Sequence, residues 1–178
     1  DDEFARFVAE VRKRGQPVRG IVMLMSDSGM RVSEVVSMSR PQVEGLVLRG
    51  EVVMSGKGGH ERIVVLPHAA NDVRPILDLG GWKSIGDLLG NVRDDGEPTM
   101  VVDVRAKRLR AIVSDCGKAA GLRVRPHDLR RTFGTAVYRR TGDIRATQVA
   151  LGHRLLATTE RYVAADPGPA ARALKGRL

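Results

Sequence analysis

The chain lacks most of what disulfide, membrane, metal and nucleotide sites require. Its 178 residues include one cysteine, Cys116, which excludes an internal disulfide and fits a reducing cytoplasm. No apolar run approaches the ~20 residues that span a bilayer, and no signal peptide is visible. No Asp/Glu cluster is spaced for a divalent cation, and no phosphate-binding P-loop is present. We therefore expect a cytoplasmic protein with no membrane-spanning segment, no bound metal and no cofactor.

Aromatic residues are also scarce, at 3%, so a core built from 42% hydrophobic residues must consist of Val, Leu, Met and Ala. The length fits one domain. Lys and Arg outnumber Asp and Glu by 30 to 21, giving a net charge of +9. Such an excess favours a polyanionic partner, either nucleic acid or an anionic membrane surface. A basic protein without such a partner remains the alternative.

Hydrophobic periodicity and turn residues predict an α+β fold, mostly α-helical with a small antiparallel β-sheet. Val and Leu dominate residues 46–66, and glycines break this stretch at Arg49-Gly50 and at 56–59, which predicts the sheet. Gly29 and Gly121 are expected to end helices. The predicted helices cover residues 2–14, 18–28, 30–38, 68–90, 103–120, 127–140, 143–151 and 158–165.

Two segments carry residues suited to binding an anion. His127 and Arg130 stand three apart on a predicted helix, so they share a face, and Arg offers a planar fork for phosphate oxygens. Arg31 falls in the first turn of another helix, where free backbone N–H groups favour phosphate. Glu34, one turn further on, either holds Arg31 in position or forms an ordinary surface pair with it. Ordinary solvated basic helices are the alternative for either segment alone.

Two further residues lie next to glycines. Lys57 is expected at the tip of a hairpin flanked by glycines, where it can reach a neighbouring cleft and donate a proton. His153 follows a glycine that ends a helix. A solvated turn lysine is the commoner arrangement.

Tyr162 is one of only two tyrosines, and Thr158-Thr159 before it suit a helix N-cap. A tyrosine hydroxyl becomes a useful nucleophile only beside a base or several positive charges. The other tyrosine, Tyr138, lies between apolar and basic positions of a helix and is expected to pack.

Five motifs, taken in chain order, resemble the tyrosine recombinases of the phage-integrase family, and the resemblance spans residues 16–164. The motifs are GMRVSE, GKGGHERIVVLP, HDLRRTFGT, LGH and TTERY. The resemblance implies the catalytic-domain fold of that family and site-specific DNA strand cleavage and rejoining, with integration or excision of DNA as the outcome. A phage integrase that inserts a viral genome is favoured over a chromosomal resolvase or a mobile-element enzyme.

The resemblance also implies roles for individual residues. Tyr162 would attack the scissile phosphate and form a 3′-phosphotyrosyl bond. Arg31 and Arg130 would hold the non-bridging oxygens, with His153 as a further donor. Lys57 would protonate the leaving 5′-oxygen. His127 would help as a base toward the tyrosine. Glu34 would support the arginines from behind.

The domain arrangement follows from the same resemblance. Residues 1–166 would form the catalytic domain, without the N-terminal core-binding domain that family members usually carry. After the predicted hinge at 167–169, residues 167–178 would form a tail that docks in trans on a neighbouring protomer, or simply a frayed terminus. The implied partners are double-stranded DNA, three further copies in a homotetramer on DNA, and an accessory DNA-bending or directionality protein. The isolated chain would be a monomer.

A second set of basic residues is predicted to line the DNA and contact phosphates. A solvated basic face is the alternative. The set comprises Arg105, Lys107, Arg108, Arg110, Arg123 and Arg125.

Three other functions compete with a recombinase. A type IB topoisomerase resembles this family in its catalytic residues and relaxes supercoils as a monomer. A non-catalytic DNA-binding module would keep the fold without the reaction. A basic helical structural protein would leave the ordered motifs as coincidence.

Overall fold

Helices joined by tight turns make up most of the structure, and a two-stranded antiparallel sheet completes it. This computed structural model describes residues 2–55, 61–90 and 101–163, with side chains for all of these except 101–103 and 161–163. The predicted mostly helical α+β class is confirmed. The elements are α1 (Asp2–Arg12), α2 (Val18–Ser28), α3 (Val32–Ser37), α4 (Arg40–Arg49), β1 (Glu51–Ser55), β2 (Glu61–Val65), α5 (Ala70–Val73), a 3-10 turn (Arg74–Ile76), α6 (Ile85–Leu88), α7 (Val101–Ala119), α8 (Pro126–Thr141), α9 (Ile144–Leu151) and α10 (Leu156–Val163).

The core is aliphatic and methionine-rich, as the scarcity of aromatics predicted. Leu24 and Met25 of α2, Leu46 of α4 and Leu109 of α7 are all almost completely buried in one cluster. Each such side chain contributes about 1.5–3 kcal/mol relative to remaining exposed. A smaller cluster, around Phe133 and Leu151, lies at the contact between α8 and α9.

The sheet is shorter than predicted, because residues 46–49 belong to α4 and not to a strand. The carboxamide of Gln42 accepts a hydrogen bond from the backbone N–H of Ser39 at 2.8 Å, which caps the start of the helix. Gly50 ends it with a left-handed backbone (φ +78°), and its N–H donates to the carbonyl of Leu46. These two caps override the β-propensity of the Val and Leu residues between them.

The strands that do form pair from Glu51↔Val65 to Ser55↔Glu61. Met54 and Val64 are buried on the inner face, whereas Val53 and Ile63 are exposed on the outer face. The predicted hairpin tip lies outside the described residues.

Two other predictions need correction. The helix predicted over residues 68–90 is only partly present, because Pro75 and the Gly80-Gly81 pair restrict it to α5, the 3-10 turn and α6. Thr158-Thr159 is not an N-cap, because α10 begins two residues earlier. Residues 40–45 of α4 were not predicted to be helical either. The other helices form where the sequence predicted them, within a few residues at each end.

The helix ends bring distant parts of the chain together. α8 packs on both α2 and α9, and its buried Arg130 donates to the carbonyl of Gly29, at the end of α2, and to that of Leu151, at the end of α9. Since α3 starts three residues after Gly29, its N-terminus lies at the same place. The candidate site is built around this junction.

Candidate functional site

Arg31 is held at the start of α3 by Glu34. The Glu34 carboxylate accepts from the backbone N–H of Arg31 at 2.8 Å and from its guanidinium Nη1 at 2.8 Å. Nη2 donates to the carbonyl of Gly152 at 3.3 Å, although 121 residues separate the two in sequence. The Arg31 side chain remains 47% exposed. The predicted contact between Glu34 and Arg31 is therefore present, and Arg31 stays accessible to an anion.

Arg130 is the buried arginine of the site, with only 5% of its surface exposed. Its Nη1 donates to the Gly29 carbonyl at 2.6 Å, and its Nη2 donates to the Leu151 carbonyl. Carbonyl groups at helix ends have no partner within their own helix, so the guanidinium satisfies two of them. A buried positive charge is thereby placed where α2 and α9 end.

His127 was predicted to share a helix face with Arg130. Its side chain is exposed, whereas that of Arg130 is buried. It nevertheless lies close enough to act on His153, because its charge contributes to lowering the pKa of that residue.

His153 follows the left-handed Gly152 that ends α9. Its Nδ1 lies 2.9 Å from the hydroxyl of the buried Thr159 on α10. Burial, together with the positive charges of Arg130 and Arg31 and smaller contributions from Arg62 and His127, lowers the pKa of His153 from 6.5 to about 4. His153 is therefore a neutral imidazole at physiological pH.

Sequence reasoning missed two residues that fix His153. The Gln148 side chain donates to the carbonyl of His153 at 2.9 Å and accepts from Arg145 at 2.8 Å. Thr159 anchors α10 to the imidazole, one helical turn before Tyr162. Neither residue has a local sequence signal, because each acts on a partner that only the chain reversal at Gly152 brings near.

Arg62 was missed as well. Its Nη2 donates to the Glu34 carboxylate at 2.6 Å, and its Nη1 donates to the Ala150 carbonyl at 2.8 Å. Burial raises the pKa of Glu34, but the charge of Arg62 and the hydrogen bonds and charge of Arg31 outweigh it, so the net shift is downward. A signal was present in the sequence. Arg62 and Val64 are two positions apart in β2, so the charged Arg62 shares the inward face with an apolar residue.

The remaining two residues of the predicted catalytic set are not placed in detail. Lys57 lies outside the described residues. Tyr162 lies in α10, and its side chain is outside the described part of the chain. The other tyrosine, Tyr138, is half-buried on α8, as expected for a packing residue.

The residues predicted to line DNA fall into two groups. Arg105 is paired with Asp87 at 3.0 Å and its side chain is only 14% exposed, so its guanidinium serves packing between α7 and α6. The other five side chains are exposed. They are Lys107, Arg108 and Arg110 on α7 and Arg123 and Arg125 before α8.

Within the described residues, no group of three or more His, Cys, Asp or Glu side chains is arranged to hold a metal ion. No helix in residues 2–55, 61–90 and 101–163 is long and apolar enough to cross a membrane.

Comparison with known proteins agrees with this geometry. The Phage integrase family matches residues 1–168, and the chain belongs to that family. Its fold is that of a tyrosine recombinase catalytic domain. The resemblance inferred from the five motifs is thereby confirmed.

Individual relatives and structures give the same answer. Tyrosine recombinase XerA of Thermococcus kodakarensis is 30% identical over 172 residues, covering 90% of this chain and 55% of the relative. A crystal structure of XerA recombinase superposes with a TM-score of 0.76 at 27% identity, covering 99% of this chain and 61% of that one. XerH site-specific recombinase, in a post-cleavage complex with its difH substrate, shares the fold with a TM-score of 0.66 at 22% identity, covering 98% of this chain and 51% of that one. The chain spans about half the length of the curated relatives it matches.

Proposed function

We propose that the chain is the catalytic domain of a site-specific DNA recombinase that cleaves and rejoins strands through a tyrosine. The observation that carries this proposal is the convergence of Arg31, Arg130 and His153 from three distant parts of the chain. Two arginines and a neutral imidazole at one junction form an anion site of the kind that phosphoryl transfer requires. The helix that contains Tyr162 is tied to the same junction through Thr159.

The hydrogen bonding of His153 supports a specific role for it. If the Thr159 hydroxyl donates to Nδ1, the neutral ring carries its proton on Nε2. We assign this tautomer, in which Nε2–H donates to a non-bridging phosphate oxygen. Arg31, exposed and oriented by Glu34, binds the same phosphate, and Arg130 supplies buried positive charge behind it.

The proposed reaction exchanges one phosphoester bond for another. The Tyr162 hydroxyl attacks the phosphorus, His127 accepts its proton, and the P–O5′ bond breaks as Lys57 donates a proton to the leaving oxygen. The products are a 3′-phosphotyrosyl bond and a free 5′-hydroxyl. Attack by a 5′-hydroxyl on the phosphotyrosine rejoins a strand and releases the tyrosine. Because the bond is exchanged and not hydrolysed, the reaction needs no ATP, and the cationic side chains do the work of a metal.

The proposed partner is double-stranded DNA in the cytoplasm. The net charge of +9 and the exposed basic residues of α7 support it. Four copies would assemble on two DNA sites, with residues 1–166 as the catalytic domain. Residues 167–178 would form a tail that docks on the neighbouring copy, since Leu174 and Leu178 would share a helical face after the 167–169 hinge. Deleting 167–178 should weaken coordinated cleavage, and unaffected coordination and tetramer assembly would contradict the docking.

The test is capture of the covalent intermediate. The chain, alone and in any longer natural form, is incubated in EDTA with a randomised duplex library in which each DNA carries a nick that traps cleaved products. Adducts that resist SDS are collected and sequenced. We expect adducts from the wild type and from Tyr138→Phe, the matched control, and none from Tyr162→Phe. An adduct that survives Tyr162→Phe, or the absence of any wild-type adduct, would contradict the proposal.

A further inference from the structure

We propose that Arg62 is a positioning residue for the phosphate-binding site, because it joins Glu34 to the C-terminal end of α9. In this role it holds Arg31 and His153 at a fixed spacing without contacting DNA itself. The inference rests on the proposed function. It gives a role to a residue inside the GKGGHERIVVLP motif to which the resemblance assigned none.

The contacts of Arg62 reach two separate elements. The residue lies on the inner face of β2, opposite Met54, and its side chain is only 10% exposed. One Nη donates to the Glu34 carboxylate at 2.6 Å and the other to the carbonyl of Ala150 at 2.8 Å. The planar guanidinium fork can satisfy both acceptors at once, which a lysine ammonium on a single stem does less well.

These contacts close a ring with Arg31. Glu34 binds Arg31 through both carboxylate oxygens, and Arg31 in turn donates to the carbonyl of Gly152. Gly152 lies against the stem of Arg62, since a Cβ added there would overlap the Cδ of Arg62. A displacement of Arg62 is therefore transmitted both to Arg31, through Glu34, and to the segment that carries His153.

A role in stabilising the fold does not by itself explain Arg62, because burying its guanidinium has a desolvation cost. Its Nε is buried and makes no hydrogen bond within the described residues. A buried ion pair is often replaced by apolar side chains without loss of stability. Stability alone therefore does not require an arginine at this point, and we assign its charge beside Glu34 to the positioning of the site.

Arg62 also lies in β2, the strand that follows Lys57 by a few residues along the chain. The Arg62 guanidinium also joins β2 to α9, so this one side chain connects three parts of the proposed site. These parts are the start of α3, the end of α9 and the strand that follows Lys57.

The test compares Arg62→Gln and Arg62→Lys with Arg40→Gln. Arg40 is a matched control, because its guanidinium also binds a carboxylate, that of Glu44, and two backbone carbonyls, but away from the site. We measure single-turnover adduct formation at saturating DNA and the Kd for DNA, using nicked duplexes recovered from the library. Thermal unfolding is recorded for every variant.

We expect Arg62→Gln to slow adduct formation by about 10–100-fold, because misplacing a reacting group by about 1 Å can cost on the order of 100-fold. The Kd for DNA should change by a smaller factor than the rate, because Arg62 does not touch DNA and many other phosphate contacts contribute to binding. Arg62→Lys should recover part of the rate. Arg40→Gln should react at the wild-type rate. Since Arg62 acts through Glu34, adding Arg62→Gln to Glu34→Gln should slow the reaction by less than Arg62→Gln does alone.

A wild-type rate for Arg62→Gln would overturn the inference, as would an equal loss in Arg40→Gln or a loss confined to DNA affinity. If the wild type forms no adduct, the proposed function fails, and Arg62 is then tested by adding orthovanadate and following the imidazole NMR signals of His153. We expect Arg62→Gln to need about tenfold more vanadate than the wild type or Arg40→Gln for the same shift, which corresponds to the loss of roughly one hydrogen bond to a charged group. Equal responses would refute the positioning role independently of catalysis.

Discussion

Replacing Gly152 with alanine adds one methyl group where Arg62 crosses the end of α9. The new Cβ would overlap the Cδ of Arg62 and lie 3.1 Å from its Nε. The backbone of Gly152 is left-handed, with φ at +63°, a conformation that favours glycine. The substitution therefore has two separable costs, one from the backbone and one from the contact with Arg62.

Gly142 isolates the first cost. It ends α8 with nearly the same backbone (φ +67°), and nothing lies within 4 Å of a Cβ added there. Gly142→Ala should destabilise the fold by about 1–2 kcal/mol, the cost of a left-handed residue with a side chain. Gly152→Ala incurs the same cost and also displaces Arg62 from two hydrogen bonds. Charge-assisted bonds contribute about 1.5–3 kcal/mol each, and partial relaxation of the arginine leaves about 2 kcal/mol of additional loss.

The assay is urea unfolding of the two variants beside the wild type, followed by single-turnover adduct formation at a temperature where both are folded. We expect Gly142→Ala to cleave at the wild-type rate and Gly152→Ala to be at least about tenfold slower, because the displaced Arg62 would misplace the groups that it orients. If both variants lose the same free energy of unfolding, Arg62 accommodates the added methyl group without destabilising the fold. If both also cleave equally fast, the reasoning about the junction is wrong.

Further predictions concern His153, its partner Thr159 and the basic residues of α7. His153, with a pKa of about 4 in the fold and 6.5 unperturbed, binds its proton more readily in the unfolded chain. The stability it contributes should therefore fall as pH drops from about 6.5 to 4, and His153→Gln should flatten that decline in urea unfolding measured against pH. Thr159→Val keeps the shape of the side chain but removes its bond to the imidazole, so NMR should show His153 changing its tautomer ratio while adduct formation slows; an unchanged ratio would refute the assigned tautomer. Arg108→Gln should lower the slope of log Kd for DNA against log salt by about 1, the expectation for one lost phosphate contact. Arg105→Gln should chiefly lower the melting temperature, because Arg105 is paired with Asp87.

Local signals predicted much of the secondary structure. Glycines at helix ends, prolines in first turns and 3.6-residue periodicity act within a few residues, so they can be read directly from the chain. They failed at residues 46–49, where the β-propensity of Val and Leu was overridden by the caps at Ser39 and Gly50. They failed again at Thr159. Its hydroxyl does not cap the N-terminus of α10 but hydrogen-bonds to the imidazole of His153.

The sequence by itself determined the family, the order of the motifs and the candidate reacting residues, because these depend on residue identity and spacing along the chain. The tertiary structure decided which cations are oriented by a neighbour and which are buried. It placed Arg130 under two helix ends, paired Arg105 with Asp87 and brought Arg62 to Glu34. Contacts between residues 28 to 121 positions apart have no local signature, since they depend on how α2, α3, β2, α8 and α9 pack together.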